Sequence, residues 1–575
     1  MGSQKIITAI LGSISRATIL PIYRRRVDRF LAALDDPMQL QRQIEQRLVE
    51  RARRSAYGRE NGLQDARSLA DALPIAKYAT FAPYIDRLIA GERDSLFPDD
   101  DPVEALACTT GTTGQPKVLP VTREWLSRYR QSWEIWGARA ILDHPNIIGS
   151  YWLQLTGPRN VLRATDGSNV GMISAITAER QNPIIRSFYM PPTKVADIVD
   201  PDLRHYMTLR QSIPGNISLI ATSTAANLIG LAEAGDHFKE HLIRDLFDGT
   251  FHMAAQAGTE AMDLWGHTLT RRNRARAREL QKIADSTETL LPKDYWNVAM
   301  LACWVGGTVG NQSARLGRFY GNVPIRDIGY LSTEGRHTIP LSDGRTGGVI
   351  DPRTSYYEFL PIESREGGED RSLTVAELEN GAAYSVIVST FNGLYRYRLD
   401  DIVRCIGRVS STPILEFLQK SDQYSDMEGE KLSAHQVSDA QRTACDAIGR
   451  NDIDVCLLAV RPEAGLPYYA MLSERLQMLS HPQILQFIAA MDSALRESNI
   501  MYRLKRQDGS LASLASWPLK PGTWNRHISI VGRQRGTYET QNKSPVLLTC
   551  GSWPEGLELA NPESGYTKNR RSAEM

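Results

Sequence analysis

Apolar residues first recur at helical spacing where Leu40, Ile44 and Leu48 share one face. Asp35 or Asp36 suits the cap and Pro37 the first turn, so the pattern predicts one helix over 36–62, broken off by Gly58 and Gly62. Between about 100 and 410 the pattern alternates. Short β-rich runs at 104–107, 218–222, 384–390 and 402–406 are separated by helical stretches such as 122–140 and 225–248, which predicts an α/β body. The run Ser410-Ser411-Thr412-Pro413 reads as a joint, after which a smaller α/β pattern starts. It offers a helix near 433–449, strands at 455–460 and 468–472, and a helix near 483–497. At the other end, 5–22 is apolar in places but interrupted by Ser13, Ser15 and Arg16. That predicts an amphipathic helix and no membrane span.

Composition narrows the partners. The 575 residues carry 67 basic and 66 acidic side chains, with 42% hydrophobic and 23% charged residues. Such a chain folds around a core, and its charge balance argues against nucleic acid as a partner. Six scattered cysteines, with no C-x-x-C pair, point to a reducing compartment, the cytoplasm. The arginines at 271, 272, 274, 276 and 278 read as a solvated helical face. His237 and His241, in an H-x-x-E-H pattern on one helical face, read as surface histidines rather than as a zinc site. Asp99, Asp100 and Asp101 read as a solvated turn, and Trp125, Tyr129, Trp133 and Trp136 as core.

Three segments carry chemistry. Thr109-Thr110-Gly111-Thr112-Thr113-Gly114-Gln115-Pro116-Lys117 follows an apolar run, and its glycines and hydroxyls suit close backbone approach to a phosphate chain. It is neither a P-loop nor a dinucleotide fingerprint, and taken alone it is suggestive, the bland alternative being a flexible Thr/Gly turn. Tyr330-Leu331-Ser332-Thr333-Glu334-Gly335 follows the apolar stretch 323–328 and offers a carboxylate beside two hydroxyls, a set suited to Mg²⁺ on ATP phosphates. Gly393-Leu394-Tyr395-Arg396-Tyr397-Arg398-Leu399-Asp400-Asp401 ends in acids able to accept ribose hydroxyls.

In this order, the three segments resemble those of the Gretchen-Hagen (auxin-responsive) family of acyl acid–amido synthetases, within the adenylate-forming enzymes, and more narrowly its microbial members. The likeness extends to Ser55-Ala56-Tyr57-Gly58-Arg59-Glu60, to 426–432 and to Gln541-Asn542-Lys543-Ser544-Pro545, so it covers about 40–550.

The resemblance implies a large adenylating N-terminal domain over 1–412, built of β-sheets with packed helices and a β-barrel-like part. A hinge at 413–422 and a small mobile α/β domain over 423–575 complete it. It implies ATP and Mg²⁺ as cofactors, a small carboxylic acid as substrate and an amine as acceptor, joined through an acyl-AMP. Residues 109–113 and Lys117 would cradle the phosphates. Tyr330, Ser332 and Thr333 would lie beside the nucleotide, with Glu334 on Mg²⁺. Gly306 and Gly307 would admit adenine or the acyl group, Asp401 would hold the ribose with Arg398 nearby, and Lys431 and Lys543 would serve the phosphates as catalytic cations. Trp152, Trp304 and Tyr330 are candidates for the acyl pocket. One departure is Asp400 where the family has glycine, which leaves open which of Asp400 and Asp401 meets the ribose; register favours Asp401. Two alternatives stand beside this reading: a thioester-forming acyl–CoA ligase, and a nucleotide-binding protein without turnover. Oligomeric state stays open, and a monomer is compatible with the sequence.

Overall fold

The computed structural model describes residues 2–109, 117–362, 371–421, 423–462, 465–535, 545–549 and 553–560. They form two compact units. One comprises Met1–Val305, Leu316–Leu399 and Val403–Phe417; the other comprises Gly306–Arg315, Asp400–Ile402 and Leu418–Met575.

The expected helix over 36–62 is two helices. Asp36 Oδ1 accepts the Gln39 N–H at 2.9 Å and Pro37 occupies the first turn, as the sequence suggests, but the helix Pro37–Arg53 stops there. Ser55 Oγ donates to the Ala52 carbonyl and accepts from the Gly58 N–H at 3.1 Å, which starts a separate helix Ala56–Glu60. A Cβ on Gly58 would lie 1.9 Å from the Ala52 carbonyl oxygen, so this corner requires glycine.

The predicted helix over 225–248 also divides, at Phe238, into Ala225–His237 and Lys239–Asp248. His237 and His241 therefore do not share one unbroken helical face. His241 instead stacks on His252 with ring centroids 3.6 Å apart, and no cluster among the described residues suits a metal ion. The arginine cluster is not simply solvated. Arg272 and Arg274 donate to the Asp248 and Phe247 carbonyls, where cations complement the end of the helix dipole. The acidic run is likewise engaged: Asp101 is buried, pairs with Arg51 at 2.7 Å and accepts from the Glu124 N–H.

In the larger unit the strands are β1 (Val103–Thr109), β2 (Lys117–Thr122), β3 (Tyr151–Gln154), β4 (Leu162–Arg163), β5 (Asn169–Met172), β6 (Ile217–Ala221), β7 (Met300–Cys303) and β8 (Ile325–Asp327). There follow β9 (Thr338–Ile339), β10 (Gly348–Ile350), β11 (Tyr356–Pro361), β12 (Ala383–Ser389), β13 (Tyr397–Val409) and β14 (Thr412–Lys420), the last two continuing beyond this unit. One sheet has the order β2-β1-β5-β4; a second, β3-β6-β7-β8, is parallel throughout. The part expected to be barrel-like is a six-stranded sheet of order β11-β12-β13-β14-β10-β9, with β11 and β9 at its edges. Apolar clusters cover both faces of the parallel sheet: Leu301 and Cys303 pack with the helices Pro201–Ser212 and Ala225–His237, while Met300 and Ala302 pack with Trp136 and Ile141 of the helix Arg123–Asp143. The joint read at Ser410 to Pro413 is the hairpin turn between β13 and β14, with Ser410 at φ 50. Much of the stretch 413–422 is accordingly strand.

The smaller unit holds β15 (Tyr424–Ser425), β16 (Leu432–Ser433), β17 (Cys456–Val460), β18 (Tyr468–Ser473), β19 (Ala515–Pro518) and β20 (Leu547–Leu548). β15 pairs with β16, and the others form a sheet of order β19-β18-β17-β20. The helices Ala434–Ala447 and His481–Ser498 pack on one face of it through Val437, Phe487 and Met491. Among the described residues no helix is long and apolar enough to cross a membrane.

Candidate active site

In a parallel sheet, ligands bind beyond the carboxyl ends of the strands. Here β6 leads into Thr222-Ser223-Thr224, β7 into Trp304-Val305-Gly306 and β8 into 328–334. These ends are stitched together. Thr222 donates its N–H to Ala302, Trp304 donates its N–H to Ser223, and the Trp304 indole donates to the Gly329 carbonyl at 2.9 Å.

The Tyr330–Glu334 segment forms a tight turn. Ser332 N–H donates to the Gly335 carbonyl at 2.8 Å, and Ser332 Oγ accepts the Glu334 N–H at 3.2 Å. His337 Nε2 lies 3.1 Å from Ser332 Oγ, and its ring packs 4.6 Å from that of Tyr330. Tyr330 is buried and also stacks on Phe417. Thr333 Oγ1 reaches the Cys108 carbonyl at 3.5 Å, which brings the turn to the end of β1 beside Thr109. The Thr109 hydroxyl is buried without a hydrogen-bond partner among the described residues. Thr110, Gly111, Thr112 and Thr113 lie outside the described residues. Lys117, at the start of β2, donates to the Tyr397 hydroxyl at 3.1 Å and sits over the Tyr78 and Tyr397 rings.

The aromatic helix Arg123–Asp143 supports this turn from behind. Trp125, Tyr129 and Trp136 are buried, as its pattern predicts. The Trp125 indole donates to the Glu334 carbonyl at 2.8 Å, and the Trp136 indole to the Asp327 carbonyl at 2.9 Å. Trp133 lies under the Arg336 guanidinium, 3.9 Å from its ring centroid. Arg336 is 1% exposed and no side-chain nitrogen of it finds a hydrogen-bond partner among the described residues. Burial pulls its pKa down to about 10, against the opposing influence of Tyr129, Asp327 and Asp351.

Fit to Mg²⁺ rests on Glu334. Its residue is 7% exposed, yet no ion pair or side-chain hydrogen bond among the described residues engages its carboxylate, while the Ser332 and Thr333 hydroxyls lie in the same turn. One uncommitted carboxylate beside hydroxyls suits an ion that takes most of its remaining ligands from phosphate and water.

The acyl-pocket candidates separate. Trp304 follows β7 at its carboxyl end, but the register pairs Trp152 with Leu219 and Leu219 with Met300, at the opposite end of the strands. There Trp152 stacks on Phe188 and donates to the Ile147 carbonyl. The residue that the sequence reading missed on β3 is Thr156, just past its end, whose buried hydroxyl lacks a partner among the described residues. Its position two residues beyond a short apolar strand is the only sequence signal for it.

The smaller unit carries the remaining candidates. Gly306 and Gly307 open the 3-10 segment Gly307–Arg315, with Gly307 at φ 60, and Arg315 pairs with Asp454 at 3.2 Å. Asp400 adopts φ 55, a conformation aspartate enters more readily than most residues. Asp401 is 2% exposed, and Lys420 Nζ lies 2.5 Å from its Oδ1. Glu430, buried, accepts the Met427 and Glu428 N–H groups at 3.0 and 2.7 Å and pins the loop from which Lys431 projects, exposed, at φ 41. Arg398, in the larger unit, is fixed by its N–H to the Ala76 carbonyl. Lys543 lies outside the described residues.

Family comparison covers most of the chain. The GH3 family N-terminal domain matches residues 26–325, the GH3 family central domain 348–420 and the GH3 family C-terminal domain 436–550. The indole-3-acetic acid-amido synthetase GH3.10 of Arabidopsis thaliana is 23% identical over 376 residues, 60% of this chain and 63% of its own length. The jasmonoyl--L-amino acid synthetase GH3.5 of Oryza sativa subsp. japonica is 23% identical over 428 residues, 68% and 72% of the two chains. The chain thus spans about two thirds of the length of these curated relatives. Among solved structures, the AtGH3.15 acyl acid amido synthetase in complex with 2,4-DB superposes with a TM-score of 0.80 at 19% identity, covering 92% of this chain and 94% of that one, a likeness of fold.

Proposed function

The chain belongs to the GH3 family, and on that premise we propose that it is an ATP-dependent acyl acid–amido synthetase. It activates a small carboxylic acid as acyl-AMP with release of pyrophosphate, then passes the acyl group to an amine, an amino acid or another, forming a C–N bond. The observation that carries the reading is the Thr333–Cys108 contact, which sets a hydroxyl-and-carboxylate turn against the root of the Thr/Gly loop.

A carboxylate is a poor electrophile, and transfer to the α-phosphorus builds negative charge that donors and cations must meet. In this reading the Thr109–Thr113 hydroxyls and amides orient the phosphates and Lys117 adds charge at the end of the loop. Ser332 and Thr333 point hydroxyl dipoles at the same place, and Glu334 would hold Mg²⁺, which when bound neutralises phosphate charge. Gly306 and Gly307 give the base or acyl group bare backbone. Asp401, with Arg398 nearby, orients the ribose. Lys543 and Lys431 supply mobile cations for the adenylation step. Residues 1–412 form the adenylating domain and 423–575 a cap that turns about 413–422 between the half-reactions. Among the described residues five buried cysteines form no disulfide, which supports a reducing compartment, the cytoplasm.

The test is ATP–pyrophosphate exchange with a panel of small acids, followed by mass spectrometry of products formed with amines or with coenzyme A. Acid-dependent exchange and an amide product are expected. A thioester with no amide would convert the reading to a CoA ligase, and no exchange with any acid would overturn it.

A further inference from the structure

The helix Gly2–Ala33 packs on the larger unit by an inner stripe of residues spaced three and four apart, Leu20, Tyr23, Val27, Phe30 and Leu34. Val27, Phe30 and Leu34 are buried, and Phe30 and Leu34 pack with Ile135, Trp136 and Ile141. About half a turn round the same helix runs an outer stripe, Thr18, Ile22, Arg25 and Arg29. All four are exposed, Ile22 by 55%. By spacing, Ile14, Leu11 and Ile7 continue this outer stripe toward the N-terminus, with Ile10 beside it, whereas Arg16, Ser13 and Ala9 stand where the inner stripe would continue. The apolar side of the helix therefore changes face between its two halves. In the first half it falls on the side that, further along, is turned away from the body.

Charge gathers on the same element. Residues 1–29 hold six basic side chains and one acid, in a chain whose formal net charge is +1, so the rest of the chain is net negative. Arg24, Arg25, Arg26 and Arg29 are all exposed; Arg26 pairs with Glu134 at 2.9 Å, while Arg25 and Arg29 stand on the outer stripe. We propose that the helix Gly2–Ala33 docks the protein on an anionic phospholipid surface through this stripe, its apolar half at the headgroup–acyl boundary and its arginines on the lipid phosphates. A helix with an apolar side and neighbouring cations lies in the plane of the headgroups, where hydrocarbon and phosphate are both within reach. Ser13, Ser15 and Arg16 interrupt the apolar run, which suits a surface position and not a span. A second copy fits the stripe less well. Parallel pairing of two such helices sets arginine against arginine, and antiparallel pairing sets arginine against the apolar half. The proposal is independent of the adenylation reading.

The experiment is co-sedimentation of the full-length protein with vesicles of phosphatidylcholine alone and of phosphatidylcholine with one third phosphatidylglycerol, beside light scattering for its mass in solution. The variants are Leu11→Asp on the stripe, Thr8→Asp off it, and Arg25→Glu combined with Arg29→Glu. A Tm close to that of the wild type establishes the fold of each. The wild type should bind the phosphatidylglycerol vesicles at least tenfold more tightly than phosphatidylcholine alone. Since each basic side chain near an anionic leaflet strengthens binding about fivefold, the double arginine variant should lose at least tenfold. Leu11→Asp should lose as much, and Thr8→Asp should stay within about threefold of the wild type, the effect of charge without loss of the apolar stripe. Absence of wild-type binding to phosphatidylglycerol, unchanged binding in either stripe variant, or an equal loss in Thr8→Asp overturns the proposal. So does a wild-type dimer that Leu11→Asp converts to a monomer without vesicle binding in either, which would give the stripe to a second copy. If Leu11→Asp does not fold, the lipid dependence of the wild type and the arginine variant decide.

Discussion

The indole nitrogen of Trp125 donates to the main-chain carbonyl of Glu334 at 2.8 Å, across 209 residues of sequence. A side chain on the helix after β2 therefore holds Glu334 at its backbone and leaves the carboxylate uncommitted. Trp136 repeats the arrangement on Asp327. An aromatic stripe that packs as core thus also fixes two strand ends.

Trp125→Phe keeps most of the packing and removes the donor. Leaving the buried Glu334 carbonyl unpaired should lower stability by about 1–3 kcal/mol. Urea unfolding checks this. Pyrophosphate exchange should fall with it, because the turn loses its support.

Gly329 has φ +90, and a Cβ there would lie 2.6 Å from the Thr338 carbonyl oxygen. Gly329→Ala is expected to lower stability by about 1–3 kcal/mol through backbone strain alone, and by more from the clash. A lowered Tm with reduced activity is the expected result; a wild-type Tm would contradict the geometry.

Asp401 and Asp400 make opposite predictions about ATP. Asp401 is buried beside Lys420, whereas Asp400 lies within β13 at φ 55. Asp401→Asn should raise KM for ATP about tenfold or more, the loss of a charge-assisted hydrogen bond to ribose being worth about 1.5–3 kcal/mol. Asp400→Gly should leave KM near wild type, since glycine adopts that φ freely. The reverse ranking would assign the ribose to Asp400.

Acid stability depends on His205. Burial, with the adjacent Arg204 adding to it, pulls its imidazole down from 6.5 to about 4. The folded state then binds this proton more weakly than the unfolded chain, so its contribution is fully present above pH 6.5 and is lost between pH 6.5 and 4. Urea midpoints at pH 7 and pH 5 should show a smaller acid loss in His205→Phe than in wild type.

Much of the secondary structure was legible because local patterns decide it. The runs at 384–390 and 468–472 and the helix near 483–497 appear as Ala383–Ser389, Tyr468–Ser473 and His481–Ser498, since alternation and helical spacing match faces that are in fact buried. The corner at Ser55 was missed because it depends on a three-residue hydrogen-bond exchange and on the absence of a Cβ at Gly58, neither of which alters the apolar spacing. At Ser410 the composition of a linker belongs to a hairpin turn between long strands, and the two compact units divide a few residues on, at Phe417 and Leu418.

By itself the sequence determined the α/β alternation and the order of the three chemistry-bearing segments, because these follow from periodicity and spacing. Only the tertiary structure decided which groups meet. It set Thr333 against Cys108, Trp125 behind Glu334 and Lys420 on Asp401, and it separated Trp152 from Trp304 by the register of a parallel sheet. Contacts of that kind join residues far apart along the chain, and local periodicity carries no signature of them.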